Sequence, residues 1–169
     1  MHLNIPSKPL HIESISIGIQ TGEYFFGTVR NRSIYYYKDG QLKPWIDSNS
    51  LESLYAVMGL QISHDNESLW VCTAALPQIE GYSENLKGKS SVFEIDIASK
   101  KVITKATIES GSAFGDLIID KEGTALISDG SGNKIYSIRS GDKELTVLAN
   151  RINLITRAIR NQSSAFFDF

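Results

Sequence analysis

The chain has one cysteine, four prolines, three histidines and no long apolar run in its 169 residues. A lone thiol, Cys72, excludes an internal disulfide and a multi-thiolate metal cluster. No stretch of about 18 consecutive apolar residues occurs, which excludes a membrane-spanning helix. The segment Met1 to Leu10 carries two prolines and no apolar core of a secretory leader, so a cytoplasmic location is the default expectation, with an exported protein recorded without its leader as the alternative. An excess of one charge is also missing. With 17 Lys and Arg against 19 Asp and Glu the net charge is −2, so neither nucleic acid nor membrane is expected as a partner. There is no G-x-S-x-G nucleophile elbow and no phosphate-binding P-loop. His2, His11 and His64 have no metal-ligand spacing. Cys72, within the β-like run Leu69-Trp70-Val71-Cys72-Thr73, reads as a small core residue and not as a nucleophile.

What the chain does have is alternation with a period of two residues, up to about residue 148. Ile15, Ile17 and Ile19 alternate with Ser16 and Gly18, and Phe93, Ile95 and Ile97 with Glu94 and Asp96. β-Branched and aromatic residues fill these runs, and turn formers such as Asp39-Gly40, Glu122-Gly123 and Gly141-Asp142 separate them. Helical periodicity is confined to the tail. There, Ile152, Ile155 and Ile159 predict a short basic amphipathic helix over Arg151 to Arg160, followed by Phe166-Phe167-Asp168-Phe169.

The strands repeat. Glu23 to Thr28 leads to Ile34-Tyr35-Tyr36-Tyr37, Ser68 to Thr73 to Val92-Phe93-Glu94-Ile95, and Thr124 to Asp129 to Ile135-Tyr136-Ser137-Ile138. A further strand follows each unit, and an apolar strand precedes each: Ser14 to Ile19, Val57 to Ile62 and Phe114 to Ile119. Thr28 stands as far from Tyr35 as Asp129 from Tyr136. The middle unit is longer by one insertion, from Leu76 to Lys89, whose polar, glycine-bearing residues suit either a functional face or a tolerated insertion. Four short strands recurring every 45 to 55 residues, roughly, is the spacing of propeller blades. The expected architecture is therefore all-β. About three four-stranded blades of a β-propeller span residues 12–50, 54–108 and 112–149 of a single domain, 1–169, with an irregular tail at 150–169. Only ring closure protects the outer blade faces and edges. Three blades are thus expected to be part of a longer propeller, or to be completed by another chain, with a homodimer of about six blades as one form.

The segment from Phe114 to Asp129, with Asp116, Asp120, Gly123 and Ser128-Asp129, resembles the blade pattern N-D-L-x-x-D-x-x-G-x-x-Y-x-[ST]-D of the senescence-marker and gluconolactonase-like propellers, the sugar lactone lactonases. Met58 to Asp65 with Leu69-Trp70-Val71 resembles a preceding blade, and Ile12-Glu13-Ser14 the opening E-G-P element. The resemblance implies a divalent cation, often calcium, in a central channel, where it polarises a lactone or ester carbonyl and activates water. It implies Glu13 and Asp116 as metal ligands. Gly115 stands where that pattern has asparagine, and the ligands of later blades have no counterpart. The implied function is that of a divergent or truncated member whose ancestral activity is metal-dependent lactone or ester hydrolysis. The alternative is a non-catalytic propeller that binds or scaffolds.

Overall fold

A computed structural model describes residues 10–18 and 22–150. Ile19 and the helix expected over 151–160, with the phenylalanines after it, lie outside the described residues. Within them the chain is all-β apart from one short 3-10 turn at Glu84–Leu86. The first sheet comprises β1 (Ile12–Gly18), β2 (Glu23–Thr28), β3 (Ser33–Lys38) and β4 (Gln41–Asp47). The second comprises β5 (Ala56–Ile62), β6 (Ser68–Ala74), β7 (Ser90–Asp96) and β8 (Val102–Ile108). The third comprises β9 (Phe114–Ile119), β10 (Ala125–Asp129), β11 (Lys134–Ile138) and β12 (Thr146–Asn150). Each sheet is an antiparallel meander in sequence order. Tight turns make this possible: Asp39 and Gly40 both take positive φ, 52° and 79°, as a two-residue hairpin between twisted strands requires.

The sheets stack face to face as three blades. β5 lies beside β1 on one side and beside β9 on the other, so the first strand of each sheet is innermost. Because side chains alternate across a strand, each blade has one face for the blade before it and one for the blade after it. Between the first and second blades, Phe25, Ile34, Trp45 and Ile46 pack with Leu60, Ile62, Leu69, Val71, Phe93 and Ile95. Between the second and third, Trp70, Cys72, Val92 and Ala106 pack with Phe114, Leu117, Ile119, Ala125, Ile127, Tyr136 and Ile138. These are the three blades of a partial β-propeller.

Polar groups tie the blades together as well. Ser16 Oγ accepts from the Ile62 N–H at 2.9 Å, and Gln61 Oε1 accepts from the Ile119 N–H at 3.0 Å. The buried Glu94 carboxylate accepts from Ser68 Oγ at 3.1 Å and from Thr104 Oγ1 at 2.9 Å. Thr104 Oγ1 in turn accepts from the Gly141 N–H of the third blade at 2.7 Å. The insertion in the middle blade folds down onto the ends of the strands. Ile79 joins Tyr55, Ala56 and Ala75 in a third apolar cluster, with Tyr82 and Leu86 packed against it. Glu80 N–H donates to the Arg30 carbonyl of the first blade at 2.8 Å. This loop is a clamp between blades, and its polar surface hides three apolar anchors.

Candidate functional site

The inner strands share one register. Ile12, Val57 and Phe114 oppose Thr28, Thr73 and Asp129, and the next paired residues are Ser14, Gly59 and Asp116. Each pairing skips one residue, so Glu13, Met58 and Gly115 are the extra residues of three equivalent β-bulges. Bulges cluster where a strand must re-aim its side chains, and here they recur at one end of every inner strand.

Both residues singled out from the sequence fall at this level. Glu13 is the bulged residue of β1 and is exposed. Asp116 directly follows the bulged residue of β9 and is exposed too. They stand on the first and third inner strands, with β5 between. Asp116 Oδ1 accepts from the Leu117 N–H at 2.8 Å, and the Asp116 N–H donates to Ser128 Oγ at 3.0 Å. Among the described residues, no group of three or more histidine, cysteine, aspartate or glutamate side chains is arranged to hold a metal ion. Asp129, in the Asp129-Gly130-Ser131-Gly132-Asn133 loop, accepts through Oδ1 from Ala113 N–H and Gly132 N–H, each at 2.9 Å. That fixes it as the brace of its hairpin.

Cys72 lies fully buried between the second and third blades. Burial first, and the Asp116 carboxylate second, push its thiol well above the usual range. A thiol held neutral and dry does not react. Cys72 in the folded chain is therefore expected to resist iodoacetamide at pH 8, and to be modified fully in 6 M guanidinium. Stoichiometric modification of the native chain, read by intact mass, would contradict the packing described.

The two outward radial faces, which three blades were expected to leave open, are apolar. In the third blade, Ile118, Leu126 and Ile135 take the register positions held by Ser16, Phe25 and Ile34 in the first and by Gln61, Trp70 and Val92 in the second. Phe25, Ile34, Trp70 and Val92 are all buried by the following blade, whereas Ile118 is 57% exposed and Leu126 and Ile135 are half-buried. With Asp116, Leu117 and Ser128 they line a shallow depression of about 270 Å³. On the opposite side, Ile15 and Ile17 match Leu60 and Ile62, and Leu117 and Ile119. Those four are at most 8% exposed, against 51% and 48% for the two isoleucines. Tyr24 and Tyr35 continue this face, half-buried, with Tyr24 ring to ring against Phe26 and Tyr37.

No protein-family model matches the chain, and no curated protein sequence matches it. Solved structures do. A Bacteroides caccae protein of unknown function superposes with a TM-score of 0.54 at 13% identity, covering 82% of this chain and 46% of that one. Kuenenia stuttgartiensis hydrazine synthase gives 0.59 at 18%, covering 82% and 35%. YCF48 bound to a D1 peptide gives 0.54 at 13%, covering 80% and 39%. The chain thus spans less than half the length of each of these solved chains. Identities this low show the fold alone: the protein is a partial β-propeller of three four-stranded blades.

Proposed function

We propose that the chain is a binding and scaffolding segment of a propeller ring, which offers its channel end to ligands once further blades cover its two radial faces. The observation that supports this is positional. Ile15 and Ile17 on one side, and Leu126 and Ile135 on the other, occupy sites that every internal junction buries, and Ile118, 57% exposed, stands where those junctions hold Ser16 and Gln61. End blades of repeat proteins carry a polar outer face, and these two do not. Contiguous exposed apolar surface of this kind marks an interaction site. Dye binding provides the test. Diluted until it runs as a single copy, the chain should enhance and blue-shift the fluorescence of anilinonaphthalene sulfonate, and the pair Ile15→Asp with Ile118→Asp should remove most of that signal. No enhancement in the single-copy chain sinks the reading.

A second reading draws on the level shared by Glu13 and Asp116. Two exposed carboxylates at the same end of the inner strands suit a divalent cation such as calcium, which when bound would polarise a lactone or ester carbonyl. A hard cation takes about six to eight oxygens. These two carboxylates do not fill that shell, and one Asp116 oxygen is already engaged by Leu117 N–H. The present residues fit only part of such a site, so the other oxygens must come from blades beyond those described. Calorimetric titration of the full chain with calcium chloride tests it. Uptake weakened about tenfold by Glu13→Gln supports the hydrolase reading; no uptake, or uptake indifferent to that change, removes it.

A further inference from the structure

We infer that the occupant of both open faces is a second copy of this chain, the third blade of each copy docking on the first blade of the other to close a six-bladed ring. The inference rests on the reading above and names its partner.

Size matching along one row of the junctions carries it. In the first junction, Phe25 of the leading blade and Leu69 of the following blade share one cluster. In the second, the residues at the same positions are Trp70 and Ala125, again in one cluster. As the leading side chain grows from phenylalanine to tryptophan, the following one shrinks from leucine to alanine, as close packing at constant volume demands. At the open faces the leading position is Leu126 and the following position is Tyr24. The leading side chain is now the smallest of the three and the following one the largest. The two free ends of one chain therefore continue the same compensation, and they match each other.

Polarity sets the third junction apart from the other two. Both internal junctions carry a side-chain acceptor from the leading inner strand to the following one, Ser16 to Ile62 and Gln61 to Ile119. The equivalent residue of the third blade is Ile118, which accepts nothing. The third junction is thus not another copy of the first two. It is apolar on the leading side, and Ile15 and Ile17 present an apolar following side. Faces that differ and are mutually complementary associate head to tail, and such contacts make a closed ring only if the rotation closes. Two copies close when three blades subtend half a turn. Six blades lies inside the range of about four to eight known for propellers.

Light scattering coupled to size exclusion tests this on the full chain. The expected mass is twice the chain mass of 18.7 kDa. Ile118→Lys and Ile17→Asp, each alone, should run as single copies with unchanged circular dichroism. Mixed in equal amounts they should regain the double mass, because one junction of the mixed ring is native and the other brings the two introduced, opposite charges together. Val102→Asp, at an exposed apolar site on β8 away from both faces, should stay double. The inference is overturned if the unmodified chain is a single copy at every concentration, if the double mass survives either charge, or if the mixture fails to recover it. Should the variants not fold, the mass of the unmodified chain decides alone. A single-copy chain that still binds the dye overturns only the choice of partner, whereas one that binds none overturns the reading beneath it too.

Discussion

Trp70→Ala is expected to remove about 3–5 kcal/mol of folding stability, while Leu126→Ala at the same position of the next blade removes only about 1 kcal/mol, when both are measured in the single-copy Ile118→Lys background. The two residues are equivalent by register: Trp70 opposes Gln61 on the inner strand, and Leu126 opposes Ile118. Their surroundings differ. Trp70 is 1% exposed inside a cluster that draws on two blades, so its removal leaves a cavity that neither blade can collapse to fill. Leu126 is half-buried on an open face, and its loss costs mainly the transfer of a few methylene groups. Guanidinium titration followed by far-ultraviolet circular dichroism reads both, with Trp45 left in the first variant as a fluorescent reporter of the first junction. In the unmodified background the gap should narrow, since a covered Leu126 becomes a core residue. Equal losses for the two variants in the Ile118→Lys background would mean that the third blade already has a lid, and the open-face account would fall.

The blades were legible because two signals agreed: alternation of period two, and a spacing conserved between Thr28 to Tyr35 and Asp129 to Tyr136. Local patterns of this sort encode strands and their order, since each meander pairs only neighbours. The bulges at Glu13, Met58 and Gly115 left no such trace. One inserted residue reverses which side chains face which blade beyond it, yet it alters neither composition nor hydrophobicity. Ile15 and Ile17 illustrate a second limit. Alternation says that one face of β1 is apolar; it does not say what covers that face, and in this chain nothing described does. The bonds from Ser16 to Ile62 and from Gln61 to Ile119 span 46 and 58 residues, and no local rule foretells them. The clamp loop was not readable as one: its segment reads as polar and glycine-bearing, and the anchoring by Ile79, Tyr82 and Leu86 emerges only from their packing. Glu13 and Asp116 could be matched by letter, and their common level on the inner strands follows only from the register.

Gly27→Ala is the smallest change expected to have a large effect, about 3 kcal/mol, because it forces two blades apart. An added Cβ would overlap Ser14 Oγ and Val57 Cγ1 and would stand 2.9 Å from Val57 Cβ. Ser14 could turn away, as its hydroxyl has no hydrogen-bond partner to lose. Val57 cannot. It is fully buried, branched at Cβ and held on the neighbouring inner strand, so a χ1 rotation does not clear the clash. β2 must move against β5, which loosens the cluster containing Phe25, Ile34 and Leu69. Replacing glycine in a strand would otherwise stabilise by about 0.4–1 kcal/mol through the unfolded chain, so a net loss isolates the contact. At the equivalent positions of the later blades stand Cys72 and Ser128, both with a Cβ, which shows that the bulge tolerates one and that Val57 is what forbids it here. Val57→Ala costs stability alone by leaving a cavity. Combined with Gly27→Ala it should recover part of the loss, giving a favourable coupling of about 1–2 kcal/mol in a double-mutant cycle of thermal or guanidinium unfolding. Strictly additive losses would mean that Gly27 and Val57 do not meet, and that the first and second blades are not packed in this register.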